Sequence, residues 1–217
     1  MSLIEKQQRH SLEQIAEVKR ILCATEHAME NRMPATLLVT SAAPAEGKSL
    51  FAAVLAATAA QSGKYRVAAL DLNWHRPALH AFFDLDLSHS LQDIVGTALS
   101  DLVGPSGQDA LDILTAPADY SDDCDLNALV APLTSRLITQ AKAAYDLVIV
   151  DSAAIFPTNR MMMDPVMLSG ITDGVVMMVL TAATPRQQVR KAQKIMEGAG
   201  ANILGVIANQ RRMSARS

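Results

Sequence analysis

Hydrophobic positions fall in two rhythms along this chain. Short, nearly continuous apolar runs at residues 36–40, 66–70, 111–114, 147–150, 174–180 and 203–208 have the length and the bounding turn residues of strands buried on both faces. Between them, residues 48–61, 133–144 and 186–198 space their apolar positions as on a helix, and Gly63 closes the first of these. Ahead of them all, residues 11–32 set Leu12, Ile15, Val18, Ile21 and Leu22 at helical spacing. This predicts an amphipathic leading helix with Ser11 as N-cap and Pro34 as its stop. Strands alternating with helices predict an α/β fold, a doubly wound, mostly parallel sheet with helices on both faces. The expected organisation is the leading helix over residues 1–35 and one globular domain over 36–217, without linker, repeat or low-complexity tract. Residues 84–109 and the acidic stretch 118–125 follow neither rhythm and are expected to be surface excursions.

Composition narrows the class. The 217 residues are 50% hydrophobic and 4% aromatic, so the core must be built from Ala, Val, Leu, Ile and Met. A chain of this length needs no disulfide or metal to fold, and Cys23 and Cys124 form no C-x-x-C pair. The longest apolar runs, near residues 50–60 and 174–185, fall short of the roughly 18 residues of a membrane span. Residues 1–9 carry charges where a secretory signal would be apolar, so a cytoplasmic location is expected. The net charge of −3 conceals an asymmetry: residues 84–151 hold 12 acidic and two basic side chains, residues 186–217 seven basic and one acidic. Two solvated faces account for this, as would docking on an acidic partner, an anionic lipid face or a neighbouring subunit. No long basic segment of the DNA-binding kind is present, and no nucleic-acid partner is expected.

The chemistry gathers at strand ends. After the first strand, residues 42–49 read Ala-Ala-Pro-Ala-Glu-Gly-Lys-Ser, the phosphate-loop spacing G-x-x-x-x-G-K-[ST] with Ala42 in place of the first glycine. Such a loop turns backbone N–H groups and the positive end of the next helix toward an anion. Ala45, Glu46, Gly47, Lys48, Ser49 and Leu50 are therefore the expected nucleotide-binding segment, with Lys48 reaching the β/γ oxygens and Ser49 offering its hydroxyl to Mg²⁺. Asp151 ends the apolar run 147–150 and fits a carboxylate that holds Mg²⁺. Asp71 ends the run 66–70 and fits a group that shares the metal or accepts a proton. Either aspartate also suits the cap of a following helix.

Three stretches in order carry a resemblance: residues 40–49, then Leu70-Asp71-Leu72-Asn73-Trp74-His75-Arg76-Pro77, then Tyr145-Asp146-Leu147-Val148-Ile149-Val150-Asp151-Ser152. They closely resemble the Walker A, A′ and B motifs of the bacterial tyrosine kinases of exopolysaccharide and capsule synthesis, and the resemblance spans about residues 10–210. It implies a P-loop domain that binds Mg·ATP and works with a membrane polysaccharide co-polymerase whose cytoplasmic tail docks on it, peripheral to the inner membrane. It implies that Asn209 reads the adenine edge, and it allows homo-oligomers through a Glu-x-x-Arg helix. Glu17-Val18-Lys19-Arg20 matches the first half of that pattern, whereas Cys23 stands where another arginine is expected.

Other departures touch activity. The second A′ carboxylate is Asn73, which supplies no charge and no base. The tail ends Arg211-Arg212-Met213-Ser214-Ala215-Arg216-Ser217 without the family's tyrosine cluster; the tyrosines are Tyr65, Tyr120 and Tyr145. A non-enzymatic adaptor switched by ATP is thus a second reading. A Min/Par-type positioning ATPase is a third, although its signature lysine would fall at Ala43. The methionines at 161–163, 167, 177, 178 and 196 are expected to fill the core, Trp74 to be a partly buried anchor, Cys23 to act as a small hydrophobe, and His75 and His80 to bind no metal.

Overall fold

A computed structural model describes residues 3–30, 32–120, 129–156 and 163–210. Its elements are α1 (Leu3–Ala28), β1 (Ala35–Ser41), α2 (Lys48–Gln61), β2 (Val67–Asp71), α3 (Leu79–Phe82), α4 (Leu91–Gly96), α5 (Leu99–Leu102), β3 (Gly104–Pro105), β4 (Leu111–Leu114), α6 (Val130–Ala144), β5 (Leu147–Ala154), α7 (Pro165–Ser169), β6 (Gly174–Leu180), α8 (Arg186–Gly198) and β7 (Ile203–Asn209). One sheet runs β3-β4-β2-β5-β1-β6-β7, parallel except for the short antiparallel β3. The expected doubly wound α/β fold is therefore present.

Each strand alternates sides, as period-two geometry requires. Leu38, Leu70, Val148, Val150 and Met177 point into one layer, covered by α6 and α8. Leu37, Val39, Ala69, Ile149, Val176 and Met178 point into the other, against α2 and α1. The Ala-rich α2 lies flat on the sheet, with Ala52, Leu55, Ala56 and Ala59 fully buried. Small residues let the helix approach closely, so the strand ends and its N-terminus meet at one edge.

Several local expectations are corrected. The leading helix begins at Leu3, so Ser11 lies inside it rather than at its cap. The region 84–109 is not merely an excursion: a capping box between Ser90 and Asp93 starts α4, and Ile94, Leu99 and Leu102 join the core. Met163, Met177, Met178 and Met196 do fill the core, but Met167 is exposed; Met161, Met162 and Cys124 lie outside the described residues. Trp74 is fully rather than partly buried. Its Nε1 donates to the Asp71 carbonyl at 2.9 Å and its ring meets Tyr120 edge-on at 5.9 Å. Cys23, with Glu17 and Arg20, lies on the exposed side of α1.

Candidate nucleotide site at the strand ends

The phosphate loop connects the end of β1 to the start of α2. Gly47, the residue before α2, has φ 92°, a left-handed conformation that suits glycine, and a Cβ there would lie 2.5 Å from Asn209 Nδ2. No side chain caps the first turn of α2 and no acidic residue occupies it, so its amides remain available to an anion.

A cavity of about 470 Å³ opens over this helix start. Ala45, Gly47, Lys48, Ser49 and Leu50, expected to bind nucleotide, line it. Asn73, Arg76, Phe82 and Phe156 also line it. The two phenylalanines were not legible as site residues, because each belongs to a loop or one-turn helix whose position is set by tertiary packing. Arg76 was signalled by its place three residues after Asn73 in the loop following β2.

Lys48 is buried, and this desolvation pushes its ammonium below the ordinary lysine value. The carboxylates of Asp151 and Glu46 act in the opposite direction, and Arg76 adds to the lowering.

Asp71 and Asp151 are partners in register on adjacent strands β2 and β5. Both are wholly buried. Asp71 is held: Oδ1 accepts from Asn73 N at 3.1 Å, and Oδ2 accepts from Ala78 N and Leu79 N, each at 3.0 Å. Burial raises its pKa, and those amides, with His80 nearby, pull it back. Neither carboxylate oxygen of Asp151 has a hydrogen-bond partner among the described residues. Burial, and then the charge of Asp71, push Asp151 up to about 7, against the easing effect of the Ser49 hydroxyl, Lys48 and the Ser152 amide.

The remaining expected residues are placed differently. Glu46 is buried, with its carboxylate turned into the protein rather than the cavity. Asn209 donates its Nδ2 to the Glu46 carbonyl at 3.0 Å, lying directly against the phosphate loop. Asn73, where a second carboxylate was expected, donates its Nδ2 to the Arg76 carbonyl at 2.9 Å and so shapes its own loop.

No protein-family model matches the chain. Among curated proteins it is 30% identical over 194 residues to the tyrosine-protein kinase YwqD of Bacillus subtilis (strain 168), covering 88% of this chain and 79% of that one. It is also 30% identical over 184 residues to the succinoglycan biosynthesis transport protein ExoP of Rhizobium meliloti (strain 1021), covering 82% of this chain but 22% of that protein. Among solved structures, the kinase domain of Escherichia coli tyrosine kinase ETK superposes with a TM-score of 0.80 at 23% identity, covering 94% of this chain and 78% of that one. The chimerical protein CapA2B2 gives 0.74 at 24% identity, with 87% and 81% covered. The fold extends further, to the septum site-determining protein MinD of Pyrococcus horikoshii OT3, complexed with Mg-ADP, with a TM-score of 0.65 at 19% identity over 81% and 70% of the two chains. A nucleotide-type loop at the head of α2, buried aspartates closing β2 and β5, and identity spread along most of both chains lead to one conclusion: this protein belongs to the bacterial tyrosine-protein kinase family.

Proposed function

We propose that the chain binds Mg·ATP at this site and serves exopolysaccharide or capsule synthesis as a tyrosine-kinase-like partner of a membrane co-polymerase. The observation that carries the reading is the Asp151 carboxylate, buried beside Lys48, with the Ser49 hydroxyl and the Ser152 amide nearby but no hydrogen bond completed on either oxygen. A buried polar group without a partner is costly, and a cation would relieve it.

The residues fit Mg·ATP. The α2 amides and Lys48 would hold the phosphates, Ser49 and Asp151 the metal, with Asp71 behind them, and Asn209 would lie at the side of the loop. Among the described residues no group of three His, Cys, Asp or Glu side chains forms a metal cage of its own, so phosphate oxygens would have to complete the coordination. Bound Mg²⁺ supplies charge neutralisation at the phosphate oxygens. Lys48 adds fixed positive charge there, the β1–α2 loop orients the anion, and Arg76 offers a second cation in the lining of the cavity.

The polysaccharide role is supported by the succinoglycan biosynthesis relative, and the partner by the CapA2B2 chimera. No described helix is long and apolar enough to cross a membrane.

Asn73 favours a second reading, an ATP-switched adaptor without kinase activity, because its amide is engaged within its own loop and brings no charge to the metal. Incubating the purified protein with Mg·ATP, measuring phosphate release and mapping phosphopeptides by mass spectrometry tests both readings. Slow hydrolysis, no phosphate on Tyr65, Tyr120 or Tyr145, and faster turnover in Asn73→Asp are expected. Stoichiometric autophosphotyrosine would overturn the adaptor reading, and an unresponsive Asn73→Asp with no hydrolysis would favour it.

A further inference from the structure

Glu46 lies in the phosphate loop, yet its carboxylate faces away from any ligand. It is 1% exposed. Its Oε2 accepts from Ala43 N at 2.7 Å, within the loop. Its Oε1 accepts from Leu180 N at 3.0 Å, at the end of β6, and from the Thr184 hydroxyl in the connection to α8. Its carbonyl accepts from Asn209 at the end of β7. One residue thus fastens the loop to two strand ends and a connection that lie more than a hundred positions further along the chain.

Its neighbour Ala45 has φ 60°. A left-handed conformation at a non-glycine residue costs on the order of 1 kcal/mol and persists only where the surroundings impose it. The loop also lacks the first glycine of the usual spacing, since Ala42 fills that position and is fully buried. Shape that glycines would otherwise permit must here be enforced.

We propose that Glu46 is a positioning residue whose carboxylate holds residues 42–47 in the phosphate-ready shape before nucleotide arrives. The inference rests on the reading that this loop binds ATP. Without the clamp the loop relaxes from the strained Ala45 conformation and the competent fraction falls. The apparent dissociation constant then rises by the inverse of that fraction. The clamp also makes the β6–α8 connection, through Thr184, part of the wall that supports the phosphates. The same carboxylate favours the charged form of Lys48, so one side chain serves both loop shape and loop charge.

Glu46→Gln keeps the volume but not the acceptors. Ala43 N and Leu180 N are both obligatory donors on opposite oxygens, so the new amide NH₂ must face one of them and leave it unpaired. Calorimetry on the full chain should show ATP and tripolyphosphate each binding about tenfold more weakly and by the same factor, as a competent fraction near one tenth requires. In the ligand-free protein, amide exchange across residues 43–47 should quicken by about tenfold or more, because the open fraction grows from a minor to the major one. Thr184→Ala, which removes one donor, should show the same pattern at about threefold. If Glu46 served fold stability alone, the unfolding midpoint would drop while both affinities and loop exchange stayed within twofold of wild type, and that result overturns the proposal. Should Glu46→Gln fail to fold, the same criterion applies to Thr184→Ala. A wild-type protein that binds neither ATP nor tripolyphosphate would instead remove the underlying reading, and the exchange measurement would still decide whether the clamp exists.

Discussion

Asp71 and Asp151 end neighbouring strands in register, equally buried, and the fold treats them in opposite ways. Asp71 accepts three backbone amides and fixes the loop that carries Asn73 and Arg76. Asp151 accepts none. A carboxylate held by amides contributes to its own loop's stability, whereas one whose hydrogen bonds are not completed is, when ionised, a cost to the ligand-free fold that a bound cation or a proton removes. Burial alone therefore does not identify a ligand-binding group; the state of its hydrogen bonds does.

The comparison can be broken first at the cation facing Asp151. Lys48→Ala should weaken ATP binding by about a hundredfold or more, because charge-assisted contacts to phosphate are not replaced by loop amides. Calorimetry on the folded variant reads this, and unchanged affinity would remove the phosphate-loop assignment.

The next effect is on stability, and the two aspartates should part company. In Asp71→Asn the new NH₂ must face one of the loop amides, so unfolding in urea should show a loss of about 2 kcal/mol. A neutral result would mean that the three amides do not depend on the charge or on the second acceptor oxygen.

Asp151→Asn should do the reverse in the ligand-free protein. With the folded carboxyl raised to about 7, its favourable contribution is complete below the unfolded carboxyl range near pH 4. It is lost as pH rises through 7. The wild type should therefore fall behind Asp151→Asn by about 4 kcal/mol between pH 4 and pH 8 in the presence of chelator. Parallel stability profiles across that range would show that Asp151 already has a partner.

Much of this architecture is legible from residues alone, for identifiable reasons. Strands such as β1 and β5 are buried on both faces, so each is an unbroken apolar run, and the loop after β1 carries its glycine and lysine in local order. Helices α2 and α8 fall where the periodicity places them. The start of α1 departs from the expected one because Ser11, a good cap, lies within the helix that begins at Leu3. The capping pair Ser90 and Asp93 is a readable three-residue signal for α4 that was overlooked in an acidic region. The roles of Glu46 and Asp71 could not be read in the same way. Glu46 finds two of its partners 134 and 138 positions away, and Asp71 finds two of its amides beyond a tight loop containing Pro77. Long-range hydrogen bonds to backbone leave no local trace in the sequence.

If Asp151, not Asp71, carries the carboxylate kept free for the metal, the two variants must differ in metal affinity. Titrating Mn²⁺, as a spectroscopic stand-in for Mg²⁺, into the ATP complexes of wild type, Asp151→Asn and Asp71→Asn measures it directly by paramagnetic resonance. The account predicts that Asp151→Asn weakens Mn²⁺ binding by about tenfold or more while metal-free ATP affinity is retained, and that Asp71→Asn, where folded, weakens it by less. Unchanged Mn²⁺ affinity in Asp151→Asn, or an equal loss in folded Asp71→Asn, would contradict it.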